Sequence, residues 1–163
     1  MSRFLLVFLA VCANLPLSAA GAADARPVVE IYMPSPCLAC IDWGTYLAER
    51  GFRVVYKETT DMAAVKRRLK VPAAVESVHT AVVGGYFVEG HAYAEDIQEL
   101  LRDQPQARGI AVPGMPRGVP GRELSNPTCE TACTMLDNSS GERELFNPLL
   151  VKPDGSTSIW ARH

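Results

Sequence analysis

The motif Cys37-Leu-Ala-Cys40 carries the strongest chemical signal in the sequence. It follows a β-rich run at 28–33 and the segment Pro34-Ser35-Pro36, and residues 40–50 after it have helical spacing. A CxxC motif at such a junction places its first sulfur at a helix N-terminus, where the local positive charge favours the thiolate. Because a thiolate is both a redox nucleophile and a ligand for soft metals, the motif predicts a redox pair or part of a metal site. A purely stabilising disulfide is the third interpretation.

A second thiol pair, Cys129 and Cys133, has CxxxC spacing. Asn126 and Pro127 before it are typical of a helix N-terminus, which would place the two cysteines at i and i+4 on one face. Their Cβ atoms would then be about 5–6 Å apart, whereas a disulfide requires about 3.5–4.5 Å. The spacing therefore favours a bound soft cation. A disulfide formed after local unwinding, or cross-pairing with Cys37 or Cys40, is the alternative.

Met115 is a third candidate ligand, in the rigid loop Val112-Pro-Gly-Met-Pro116. Thioethers select monovalent copper. The alternative interpretation is that this side chain only anchors the loop to the core.

The elements around these residues predict an α/β, thioredoxin-like domain with the order β-α-β-α-β-β-α. The four strands are predicted at 28–33, 52–58, 80–83 and 86–89, and the three helices at 40–50, between Met62 and Pro72, and at 93–102. The turn Gly84-Gly85 predicts an antiparallel hairpin between the last two strands, while the helical connection favours parallel pairing of the first two.

Two histidines flank that hairpin. In thioredoxin-like folds the residue that opens the third strand packs beside the CxxC motif and is usually a cis-proline, and His79 occupies this point. Its imidazole would lie within reach of Cys37 or Cys40 as a ligand or a proton acceptor. His91, at the end of the hairpin, is a weaker candidate of the same kind. A structural role is the alternative for both, and His163 is expected to be in solvent.

The chain beyond the core is predicted to be an extension at 105–163 packed on the same domain, the core itself covering 23–104. The extension should comprise a proline- and glycine-rich loop with a buried anchor at 110–112, a short helix containing the second cysteine pair, and a hairpin formed by 145–151 and 156–161.

The N-terminal 22 residues have the pattern of a secretory signal peptide, because Arg3 is followed by a short apolar run and the small residues Ala20-Gly21-Ala22. The apolar run is too short to span a bilayer. Signal cleavage would remove Cys12 and leave four cysteines in an exported protein. The net charge of -2 shows no excess of basic residues to neutralise phosphates, so the composition argues against nucleic-acid binding.

Several segments together resemble the small periplasmic copper-resistance proteins of the CopG family (the metal-binding proteins, unrelated to the ribbon-helix-helix repressor of that name). These segments are 32–40, 63–69, 71–72, 77–81, 85–86, 89–91, 109–121 and 161–163. Many members of that family carry CxCC, whereas the third position here is Ala39, so a cluster that takes three thiolates from this loop is not expected.

The resemblance implies a periplasmic, thioredoxin-like protein that binds copper ions and takes part in copper redox chemistry alongside other copper-resistance components. By position it implicates Cys37, Cys40, His79, His91 and Met115, and Cys129 and Cys133 would supply further sulfurs. An enzymatic role as a copper-dependent oxidoreductase that interconverts Cu(I) and Cu(II) is one hypothesis. The alternatives are a thiol-disulfide oxidoreductase with Cys37 as nucleophile and Cys40 as resolving thiol, and a zinc site.

Overall fold

A computed structural model of the protein describes residues 26–122 and 144–163. The strands are β1 (Val28–Met33), β2 (Arg53–Glu58), β3 (Thr80–Val83), β4 (Tyr86–Glu89), β5 (Gly109–Ala111), β6 (Leu149–Val151) and β7 (Thr157–Ile159). The α-helices are α1 (Leu38–Glu49), α2 (Met62–Leu69) and α3 (Ala94–Asp103), with one 3-10 turn at Ala73–Val75. The predicted order β-α-β-α-β-β-α is found from β1 to α3.

The seven strands form one mixed sheet in the order β2-β1-β3-β4-β5-β6-β7. β1 and β2 are parallel, and β3 and β4 form an antiparallel hairpin, as the sequence predicted. This α/β class is confirmed, while the closer likeness to thioredoxin stays a prediction. No helix within 26–122 or 144–163 is long and apolar enough to cross a membrane.

The two faces of the sheet bury different sets of side chains, because successive residues of a strand point to opposite faces. One face packs α1 and α3 in a large cluster that contains Cys37, Cys40 and Trp43 together with Ala81 and Val88 of the hairpin. The other face carries a smaller cluster, formed by Val71, Val75, Phe87, Ala111 and Val151. The predicted thiol site therefore lies on the α1 face.

The chain after residue 104 continues the same sheet. The anchor predicted at 110–112 is fully buried, but it belongs partly to a strand, β5, which pairs parallel with β4. Gly109 permits this pairing, since a Cβ there would lie 2.0 Å from the Phe87 carbonyl oxygen. The predicted C-terminal hairpin is present as β6 and β7, shorter than the sequence indicated. The predicted signal peptide and the short helix at Asn126 lie outside the described residues.

Candidate metal centre

Cys37 and Cys40 lie where the sequence placed them, at the junction of the β1 loop and α1. Cys37 is the N-cap of α1, and its Sγ accepts a hydrogen bond from the Cys40 backbone N–H at 3.3 Å. Both residues are buried, and their sulfurs are joined in a disulfide. In this oxidised form neither sulfur is a thiolate, so metal ligation or nucleophilic attack by this pair requires its reduction.

His79 and His91 are brought together by the β3–β4 hairpin. His79 directly precedes β3, and His91 follows β4 after Gly90. Both imidazoles are completely buried, and their ring centroids are 4.9 Å apart. The sequence named both histidines as candidates, and the structure makes them a pair.

Trp43 connects this histidine pair to the cysteine motif. It lies three residues after Cys40 in α1, and its ring centroid is 4.8 Å from that of His79 and 5.7 Å from that of His91. The indole N–H donates to the Ala92 carbonyl oxygen at 2.9 Å, which fixes the ring between helix and hairpin. Sequence reasoning did not single out Trp43. Its position one helical turn after Cys40 was the available signal.

The imidazole nitrogens of the pair are mostly without partners. Within the described residues, Nδ1 and Nε2 of His79 and Nε2 of His91 are buried and have no hydrogen-bond partner. His91 Nδ1 lies 2.7 Å from the Pro120 carbonyl oxygen. A carbonyl can only accept, so Nδ1 carries the proton and Nε2 presents its lone pair. Metal-ligating histidines commonly have such a carbonyl partner on the second nitrogen.

Burial keeps both rings neutral at pH 7. Desolvation lowers the pKa of His79 well below its usual value of 6.5. The Lys66 charge, and any charge on His91, lower it further, while a weak interaction with the Gly90 backbone opposes the shift. Desolvation also lowers the pKa of His91 to about 4, although the bond to Pro120 opposes this shift. A neutral imidazole is the form that binds a metal ion. Orphaned, neutral and buried ring nitrogens fit a metal-binding role.

The other side chains predicted as metal ligands are Met115, Cys129 and Cys133. Within residues 26–122 and 144–163, no group of three or more His, Cys, Asp or Glu side chains is arranged to hold a metal ion. Met115 is buried, at 5% exposure, and has a left-handed backbone conformation. Burial agrees with the anchoring interpretation, and ligation by Met115 stays a prediction. Cys129 and Cys133 lie outside the described residues.

His163, expected in solvent, is instead part of a separate contact on α3. Its Nε2 lies 2.9 and 3.1 Å from the two carboxylate oxygens of Asp96, and its backbone N–H donates to the Phe146 carbonyl oxygen. The ring also contacts Tyr93. The expectation failed because the partner, Asp96, is 67 positions away in the sequence and buried.

Comparison with known proteins places these features in a family. The family described as "Protein of unknown function, DUF411" matches residues 75–122, the part that contains both histidines and Met115. A comparison with curated protein sequences finds no match.

Two solved structures are similar over most of the chain. One, "Copper resistance protein copG- Form 2", shares 33% sequence identity with a TM-score of 0.72, and "Copper resistance protein copG- Form 1" shares 34% with a TM-score of 0.70. Each alignment covers 85% of this chain and 98% of the other. The chain belongs to the CopG family of copper-resistance proteins.

Proposed function

We propose that this protein binds copper ions in the periplasm as part of copper resistance. The observation that carries the proposal is the pair His79 and His91, two fully buried and neutral imidazoles with unpaired nitrogens. Leaving a buried polar atom without a partner costs about 1–3 kcal/mol. A bound ion that accepts these lone pairs would offset that cost. Family membership supports copper as the ion.

The set of donor types favours copper over zinc. Imidazole binds both metals, but thiolates and a thioether favour Cu(I), and the general order of affinity places copper above zinc for divalent ions. We propose that Cys37 and Cys40 join the histidines as ligands once their disulfide is reduced, since Trp43 contacts both rings and lies one turn after Cys40. In the oxidised form no three of these four described side chains are arranged to share an ion, so joint ligation requires them to move together on reduction. Zinc remains the less favoured metal ion.

Cys129 and Cys133 are proposed as additional sulfur donors, with Met115 as a thioether donor. The support is the position of the described residues that flank the second cysteine pair in sequence. Arg122 directly follows Gly121, whose backbone packs on that of Trp43, and Glu144 bonds to the backbone of Arg117 in the same loop. Arg122 thus lies in the loop whose Pro120 bonds to His91, and Glu144 is hydrogen-bonded to the same loop.

We further propose that the Cys37–Cys40 pair exchanges electrons with copper. Two thiols that form one disulfide release two electrons and two protons. These electrons reduce two Cu(II) ions to two Cu(I) ions, and the reverse exchange regenerates the dithiol. The disulfide at the N-terminus of α1 is the oxidised form of this couple.

A thiol-disulfide oxidoreductase is the second candidate function, favoured by the disulfide at a helix N-terminus. Against it, Cys37 is only 1% exposed and Cys40 is fully buried, so a protein disulfide has little access to either sulfur. Rapid reduction of insulin disulfides by the reduced protein, lost in Cys37→Ser, would favour this function over copper binding.

The metal stoichiometry of the reduced mature protein tests the main proposal. We expect copper to bind above background, and binding to be lost in Cys37→Ser/Cys40→Ser. A matching loss in Cys129→Ser/Cys133→Ser would show that all four sulfurs serve one site. Fluorescence of Trp43, isolated in a Trp160→Phe background, should change when copper binds beside its ring. Absence of copper from the reduced wild-type protein after anaerobic loading would refute the proposal.

A further inference from the structure

A buried ion pair lies across the sheet from the histidine pair. Lys66 of α2 is 5% exposed, and Glu89 at the end of β4 is fully buried. The Lys66 ammonium contacts Glu89 Oε1 and donates to Thr80 Oγ1 at 3.1 Å. Thr80 Oγ1 in turn donates to Glu89 Oε2 at 2.6 Å, and the Ser77 backbone N–H donates to Oε1. We refer to Lys66, Glu89, Thr80 and the Ser77 N–H as the clamp.

The clamp holds the two chain segments that carry the histidines. Thr80 and Glu89 are direct partners in the antiparallel β3–β4 pair. His79 immediately precedes one member of this pair, and His91 follows the other after Gly90. The ladder extends one step towards the histidines through the Gly90 N–H, which bonds to the His79 carbonyl oxygen at 3.5 Å. Any shift of Thr80 against Glu89 would therefore move His79 relative to His91.

The clamp and the histidines use opposite faces of the sheet. Ala81 and Val88, the next residues in each strand, belong to the large cluster with Trp43, and strand alternation directs Thr80 and Glu89 to the other face. Lys66 reaches them from α2 on that face. The clamp therefore holds the strand backbones from the opposite face of the sheet, and the imidazoles occupy the space beside Trp43.

Stability alone is a weak reason for such a pair. Burial of two charges costs desolvation energy, and well-packed apolar residues can often replace a buried ion pair at no loss of stability. The imidazole of His79, by contrast, has no hydrogen-bond partner of its own in the described residues. Its orientation depends on ring packing and on the backbone between Ser77 and Thr80, both of which bond to the Glu89 carboxylate.

We propose that Lys66, Glu89 and Thr80 are positioning residues of the two-histidine site, which fix the relative placement of His79 and His91 without touching the metal. This inference rests on the proposed copper-binding function for its metal-dependent consequence only. Residues that orient metal ligands typically alter metal affinity by about 10- to 100-fold when they are changed.

The test uses the double variant Lys66→Met/Glu89→Gln, which keeps the side-chain shapes and removes both charges. Its matched control is Lys57→Met/Glu30→Gln, since Lys57 and Glu30 form an ion pair of the same residue types at the sheet surface. The first readout is the set of imidazole NMR signals of the metal-free protein, which contains three histidines. We expect the signals of His79 and His91 to move in the double variant and to stay in place in the control.

The second readout is Cu(I) affinity, measured anaerobically against a chromophoric Cu(I) chelator. We expect an affinity loss of about tenfold or more in the double variant and none in the control. Should the double variant fail to fold, Thr80→Val removes one hydroxyl from the clamp, and Thr80→Ser retains it as the control.

Unchanged His79 and His91 signals in the folded clamp variants would overturn the inference, even if their melting temperature fell, because a purely structural pair predicts that result. If the wild-type protein bound no copper, the proposed function would fail. The metal-free NMR comparison would still decide the positioning role.

Discussion

The protein places its histidines in two regions that differ in whether their ring nitrogens have hydrogen-bond partners. His163 Nε2 meets both carboxylate oxygens of Asp96 on α3. His79 and His91 lie beside Trp43 with three nitrogens unpaired among the described residues. The first region is a hydrogen-bonded contact that links the C-terminal residue to α3. The second retains unsatisfied polar atoms in the core, and such a cost is characteristic of a binding site.

Copper affinity should distinguish the two histidine regions most strongly. We expect His79→Ala/His91→Ala to lower copper affinity by at least about 100-fold, or about 2.7 kcal/mol, because both imidazole donors are lost. His163→Ala should leave the affinity unchanged. Equilibrium competition with a copper chelator measures both variants. If His163→Ala lost as much copper affinity as the double variant, the two regions would not differ in copper binding.

The acid sensitivity of folding stability in the metal-free protein should also distinguish the two histidine regions. The pKa of His91 falls from 6.5 in the unfolded chain to about 4 in the fold. Between these values the unfolded state binds more protons, so folding stability decreases as the pH falls from about 6.5 to 4. The loss from His91 should be about 3 kcal/mol.

Urea unfolding of the oxidised protein at pH 7 and pH 4 measures this acid sensitivity. The variant His91→Gln, which cannot titrate, should lose about 3 kcal/mol less than the wild type over the same interval. Equal losses in the two proteins would show that His91 is not held neutral by burial.

The smallest expected effect is on stability at neutral pH, and it has opposite signs in the two regions. His79→Leu removes unpaired buried nitrogens and should raise the unfolding free energy of the metal-free protein by about 1–2 kcal/mol. His163→Leu removes a bond to a carboxylate and should lower that free energy by about 1–2 kcal/mol. Urea midpoints with unchanged m-values check both. Destabilisation by His79→Leu would make His79 an ordinary core residue.

Local sequence patterns predicted the order of the strands and helices and the position of the cysteine motif at a helix N-terminus. Such predictions succeed because strand alternation, helical spacing and turn residues depend on near neighbours. The same patterns placed His79 at the start of β3 and His91 after β4. They did not indicate that Trp43 lies against both rings, since that contact depends on how α1 packs on the hairpin.

Contacts between residues far apart in the chain could also not be predicted from the sequence. Lys66 and Glu89 are 23 positions apart, and Asp96 and His163 are 67 apart. A charged residue in a strand or helix gives no local sign that its partner comes from another element. For the same reason β5 was expected as loop, because its pairing depends on the close approach of Gly109 to Phe87.

The complete burial of His79 and His91 has a kinetic consequence. An ion held between side chains with no solvent-exposed surface cannot exchange by direct encounter with an acceptor. Exchange requires a local opening of the structure that covers the ligands. The Pro120 carbonyl bonded to His91 and the Gly121 backbone packed on Trp43 are part of that cover. The residence time of a bound ion would therefore be set by the opening rate of this loop, and an acceptor in excess would not shorten it.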